Sequence, residues 1–79
     1  MRKKIYRDHI VELASEQSGP GEWAARATIV FEENKRVKKI PVFGRRRATF
    51  QTQQQADSYA MELAKLWIDG RRLGTNGHG

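Results

Sequence analysis

Toward the C-terminus the chain spaces its apolar residues in a way that only a helix can use. Ala56, Tyr59, Ala60, Leu63, Leu66 and Trp67 recur every three or four residues. At about 3.6 residues per turn this lays them along one stripe, with Ser58, Glu62, Lys65 and Asp69 on the opposite side. The spacing predicts an amphipathic helix over residues 52–69. Thr52 and Gln55 have capping-box spacing, in which the threonine hydroxyl takes one orphan amide and the glutamine reaches back to another. Gly70 is placed to end the helix in a left-handed conformation, and Arg71 and Arg72 follow where the negative end of the helix dipole favours cations.

One apolar stripe needs a partner surface, and the period-two region upstream supplies it. Across residues 22–33, Trp23, Ala25, Ala27, Ile29 and Phe31 alternate with Ala24, Arg26, Thr28, Val30 and Glu32, the pattern of one half-buried strand. Glu33, Asn34 and Lys35 form a tight turn, since asparagine tolerates left-handed backbone, and residues 36–42 return as the hairpin partner. On that return Arg36, Lys38, Ile40 and Val42 share a face, with Ile40 and Val42 entering the core. Pro41 has no amide to donate and points to an edge strand or a bulge. Phe43 and Gly44 then bend the chain, and Phe50 re-enters the core just before the helix cap. The loop at residues 15–21 contains Gly19, Pro20 and Gly21. Residues 5–14 read two ways: Ile5, Tyr6, His9, Ile10, Leu13 and Ala14 make a helical stripe, while a strand would place Arg7, His9, Val11 and Leu13 on one face. Periodicity alone leans to the helix. The fold expected is α+β, an antiparallel sheet of three or more strands under one C-terminal helix, with residues 1–73 as a single domain and 74–79 as a disordered tail.

At 79 residues without a cysteine, the chain has no disulfide or thiolate metal cage to replace a core. The basic start is interrupted by Arg7, Asp8 and His9 before an apolar stretch can develop, so no export signal is expected, nor a membrane span, and the expected location is cytoplasmic. The net charge of +6 is local: Lys35, Arg36, Lys38, Lys39, Arg45, Arg46 and Arg47 make seven cations with no acid among residues 35–47, which leaves the rest of the chain at −1. Such a run either blunts a strand edge and keeps a small domain soluble, or forms an electrostatic footprint for a polyanion, most often DNA or RNA.

Tyr6-Arg7-Asp8-His9-Ile10-Val11-Glu12-Leu13, Gly21-Glu22-Trp23-Ala24-Ala25, Phe50-Gln51-Thr52 and Ala64-Lys65-Leu66-Trp67-Ile68-Asp69 together resemble a set of short bacterial proteins of unknown function. In these a tyrosine-led and a tryptophan-led strand precede a capped helix closing on Trp-Ile-Asp. The resemblance implies β-β-β-α, favours a strand for residues 5–14, and brings no function. The double-stranded RNA-binding domain shares the long hairpin and alanine-rich last helix, but its helix opens with lysines, where this one opens with Gln53, Gln54, Gln55 and then Asp57. At the level of architecture the order is similar to the three-stranded-sheet DNA binders of the integrase arm-binding kind and their plant counterparts. On such an exposed sheet face Arg26, Thr28, Arg36 and Lys38 would sit.

Catalytic chemistry is not expected. His9 is the one histidine before the tail, and its neighbour Asp8 would face away from it on a strand. Asp57, Glu62 and Asp69 read as helix-surface charges, no ligands cluster as a metal needs, and no cofactor is implied. Trp23, Tyr59 and Trp67 read as core. Phe43, beside the arginine run, has the least reason to be buried and is the candidate base-stacking aromatic. The candidate nucleic-acid residues are therefore Lys35, Arg36, Lys38, Lys39, Phe43, Arg45, Arg46 and Arg47. Met61, Ala64 and Ile68 lie off the main stripe and are the candidates for protein contact or self-association. The two functions expected are polyanion binding and a non-catalytic accessory or assembly role of the sort small mobile-element genes encode.

Overall fold

Alternation of small or branched apolar residues with polar ones builds the strands that precede the helix. The computed structural model describes residues 2–44 and 49–77, the stretch 72–77 by its backbone alone. Among the described residues seven strands precede one helix: β1 (Arg2–Tyr6), β2 (His9–Leu13), β3 (Glu16–Gly19), β4 (Glu22–Ala24), β5 (Arg26–Glu33), β6 (Arg36–Phe43), β7 (Thr49–Phe50) and α1 (Gln53–Gly77). A four-stranded antiparallel sheet runs β1-β2-β5-β6 and a three-stranded one runs β3-β4-β7, so the fold is α+β.

Two hairpins of the larger sheet close through pairs of left-handed residues, Arg7 and Asp8 at φ 49° and 64°, and Asn34 and Lys35 at φ 54° and 64°. Two consecutive positive-φ residues twist the chain the way the strands twist, which is why this loop joins neighbouring strands so directly. The turn at Asn34 and the return strand agree with the sequence. The turn at Arg7 divides residues 2–13 into two strands, where the alternation suggested one element. His9, Val11 and Leu13 face the core and Ile10 faces out, so the strand alternative holds and the helical stripe does not.

The expected single strand over residues 22–33 breaks at Ala25. There the chain passes from one sheet to the other, as it does at Ala14 and Ser15 and again at Gly44. Backbone bonds bridge this corner, Ala14 N to Arg26 O and Gly44 N to Ala25 O, each at 3.0 Å. The Ser15 hydroxyl accepts from Arg26 N at 3.2 Å, and Ser15 N donates to Asp57 Oδ1 at 3.3 Å. Asp57 is therefore a buried partner of the corner, 2% exposed, and not the surface charge its helix position suggested. Gly44 sits at a close approach: a Cβ there would lie 3.2 Å from Ala25 Cβ and 3.3 Å from the Tyr59 ring, so a larger residue would need these neighbours to give by a few tenths of an ångström.

Helix α1 lies on one face of the large sheet. Ala56, Ala60, Ala64 and Ile68 meet Val11, Leu13, Ala27, Ile29 and Phe31, all buried. Three alanines at four-residue spacing let the helix approach closely, and the aromatics close the margins: Phe31 on Trp67 with centroids 5.8 Å apart, Phe50 on Tyr59 at 5.1 Å. Trp23, Tyr59 and Trp67 pack against this core, as expected. Leu66 does not. Two residues beyond Ala64 it is turned about 200° around the axis, and it is 69% exposed.

The start of α1 is capped as the sequence indicated, with Gln55 N donating to Thr52 Oγ1 and Gln51 N donating to Gln55 Oε1, both at 3.1 Å. Its end is not: the helix passes through Gly70 to Gly77, so residues 74–77 of the expected tail are helical, while 78–79 lie outside the described residues. Continuing the helix brings Arg71 into an ion pair with Glu33, its guanidinium 4.4 Å from the Phe31 ring centroid. Two residues earlier Asp69 accepts from the Tyr6 hydroxyl at 3.0 Å and pairs with Arg7 at 3.0 Å. The Tyr6 hydroxyl foremost, then the Asp69 charge, hold the Arg7 guanidinium above its ordinary value.

Candidate nucleic-acid interface

Strand pairing assigns every side chain of β6 to a face. Lys38, Ile40 and Val42 stand opposite Phe31, Ile29 and Ala27, on the helix side of the sheet; Lys39 and Phe43 stand opposite Val30 and Arg26, on the open side. Ile40 and Val42 enter the core as expected. Arg36, paired with Glu33, shares the helix side with Lys38, so neither belongs to the open face on which the sheet-reading architecture would require them. Arg26 and Thr28 do lie on it. β6 is an edge strand, which accounts for Pro41: the residue faces Thr28 in a position where a missing amide costs only an outward donor.

Lys35, in the turn, and Arg36, Lys38 and Lys39, on the strand, are all exposed. None has an ion-pair partner among the described residues, whereas Lys3, Arg7, Arg26, Lys65 and Arg71 each pair with a carboxylate. The other unpaired cations with described side chains, Arg2 and Lys4, lie on β1 at the far edge of the sheet. Phe43 is 62% exposed and the Arg26 guanidinium sits 5.6 Å from its ring centroid, a geometry that leaves one ring face for another partner. Arg26 also pairs with Glu16 at 3.1 Å. Arg45, Arg46 and Arg47 lie outside the described residues.

The protein-contact candidates are corrected by the core. Ala64 and Ile68 are fully buried against the sheet and cannot meet a partner, and Met61 packs at the core margin. Instead, four of the five large apolar residues exposed among the described residues, Ile5, Ile10, Val37 and Phe43, fall on the open face of the large sheet. Alternation alone identifies that face once the strand pairing is known, but the pairing is not legible locally.

His9 is 5% exposed, with Nδ1 donating to Arg7 O at 2.7 Å and its ring 5.0 Å from Phe31. Its Nε2 has no partner among the described residues. A ring fixed this way packs the sheet end and has no carboxylate to orient it as a base. Among the described residues no group of three His, Cys, Asp or Glu could hold a metal ion, and no helix is long and apolar enough to cross a membrane. A groove of about 550 Å³ separates β1 from α1; sequence reasoning missed it, weighing the basic start only as an export signal and setting it aside.

No family model, curated protein or solved structure matches the chain. Function therefore has to be argued from this chain's own residues.

Proposed function

We propose that this protein binds nucleic acid, through β6 and the arginine run that follows it, without catalysis. The observation that carries the reading is the row of exposed cations Lys35, Arg36, Lys38 and Lys39, free of ion pairs among the described residues and ending at the exposed ring of Phe43. Two of the nearby carboxylates are engaged, Glu33 by Arg71 and Glu16 by Arg26; Glu32, opposite Val37, has no ion-pair partner among the described residues and is outnumbered by the four cations around it. Cations on both faces and in the turn suit backbone contact more than base reading, so affinity is driven by counterion release and depends weakly on sequence. Titration of duplex DNA and RNA at several salt concentrations tests this. About four phosphate contacts on duplex DNA give a log–log slope near −3.6. Absence of binding at low salt, or binding unchanged when Arg45, Arg46 and Arg47 become alanine, sinks the reading.

A second reading, an accessory or assembly protein working by protein contacts, rests on the apolar open face with Ile5 79% and Val37 64% exposed. Sedimentation at high concentration separates its self-association form. The informative variant is Ile5→Glu, since Ile68→Glu would place a charge in the core.

A further inference from the structure

The edge opposite β6 is built differently. β1 is the outer strand of the sheet, and its hairpin closes at Arg7 and Asp8, which makes Tyr6 and His9 the hydrogen-bonded pair beside the loop. Bonded and non-bonded pairs then alternate. Lys4 and Arg2 turn their backbone groups toward Val11 and Leu13, while Lys3 and Ile5 turn theirs outward, with no strand beyond them among the described residues. The described part of the strand contains no proline and no bulge. Beside it lies the groove of about 550 Å³, with Arg2, Lys4 and Tyr6 on the strand wall and Met61 and Lys65 on the helix wall. The groove exists because the alanine stripe seats α1 on β2 and β5, and Arg2 and Lys4 are too long and polar to draw it over β1.

Charge selects what can lie there. Arg2 and Lys4 have no ion-pair partner among the described residues, and Lys3 is held only at 3.8 Å by Glu12. On the helix wall Glu62 is matched by Lys65 at 3.2 Å, and at the floor Asp57 takes the Ser15 amide. A second copy of this chain, at +6, would bring a basic edge to a basic edge and be repelled. The lysines that keep copies apart attract an acidic strand.

We infer that β1 accepts an extended acidic segment of a partner protein by strand addition. Its backbone bonds to Lys3 and Ile5, two acids stand opposite Arg2 and Lys4 in the groove, and an apolar residue packs on Ile5 from the open side. Backbone pairing supplies affinity, and the acid-x-acid alternation supplies specificity.

Amide-resolved titration with a blocked Val-Glu-Val-Glu-Val peptide tests it. The largest shifts are expected at Lys3 and Ile5, the Glu→Lys version of the peptide should bind at least tenfold more weakly, and Ile5→Pro should abolish binding. That substitution removes only an outward amide and spares the β1–β2 ladder. If Ile5→Pro disturbs the fold, the Arg2→Glu, Lys4→Glu double variant serves, with preference expected to reverse toward the Lys peptide. The inference is overturned if β1 amides do not move at millimolar peptide, if the proline variant binds as well in a folded state, or if duplex DNA moves the same amides as strongly, which would mark β1 as charge alone.

Discussion

On β2 and β5 the residues facing the helix, Val11, Leu13, Ala27, Ile29 and Phe31, are all buried, while their immediate neighbours Ile10 and Val30 face the open side, Ile10 at 40% exposure. The two faces are made by the same strands, one residue out of step, and both contain branched aliphatic side chains. What separates them is the helix. Apolar character alone therefore does not locate this core; the core is where a second apolar stripe arrives to close it. The face left over is a surface with spare apolar area beside unpaired cations.

The difference is broken most severely at Ile29. Truncation to alanine removes buried methylenes and leaves a cavity under the helix, an expected loss of about 2–5 kcal/mol. Ile10→Ala on the open face should change stability by no more than about 0.5 kcal/mol. Urea midpoints of the two variants check this directly, and comparable losses would mean that the open face is covered. Asp57→Ala comes next. It leaves the Ser15 amide without its acceptor at the sheet corner, and the expected cost is about 1–3 kcal/mol. Asp57→Asn keeps an acceptor oxygen and should recover part of the loss. Thr52→Ala removes the bond from Gln55 N and should cost about 1 kcal/mol, with helix ellipticity falling before the sheet signal does.

Features set by residues adjacent in sequence were legible before the structure. The Thr52 cap, the Asn34 turn, the alternation of Ala25 to Phe31 and the edge character of Pro41 each follow from local backbone chemistry. What was not legible depends on pairs far apart. Asp57 reads as a surface charge until Ser15 is brought to it across the corner. Ala64 and Ile68 read as a free flank until the alanine stripe, and not Leu66, is seen to face the sheet. Gly70 reads as a stop because glycine favours one, and Arg71 overrides it by reaching Glu33 and Phe31. For the candidate interface, composition located the cations, but only strand pairing divided them between two faces and showed which are unpaired.

Phe43→Ala gives the smallest change in stability and the sharpest separation of the faces. The ring is 62% exposed and its described cation–π partner is Arg26, itself held by Glu16, so the urea midpoint should move by less than about 0.5 kcal/mol. If the ring stacks on a base, affinity for single-stranded nucleic acid should fall by about 1–3 kcal/mol, while the salt slope, set by the lysines and arginines, stays the same. A loss of slope would instead make Phe43 a support for the cations. Unchanged affinity would leave nucleic-acid binding to charge alone and return the open face to protein contact.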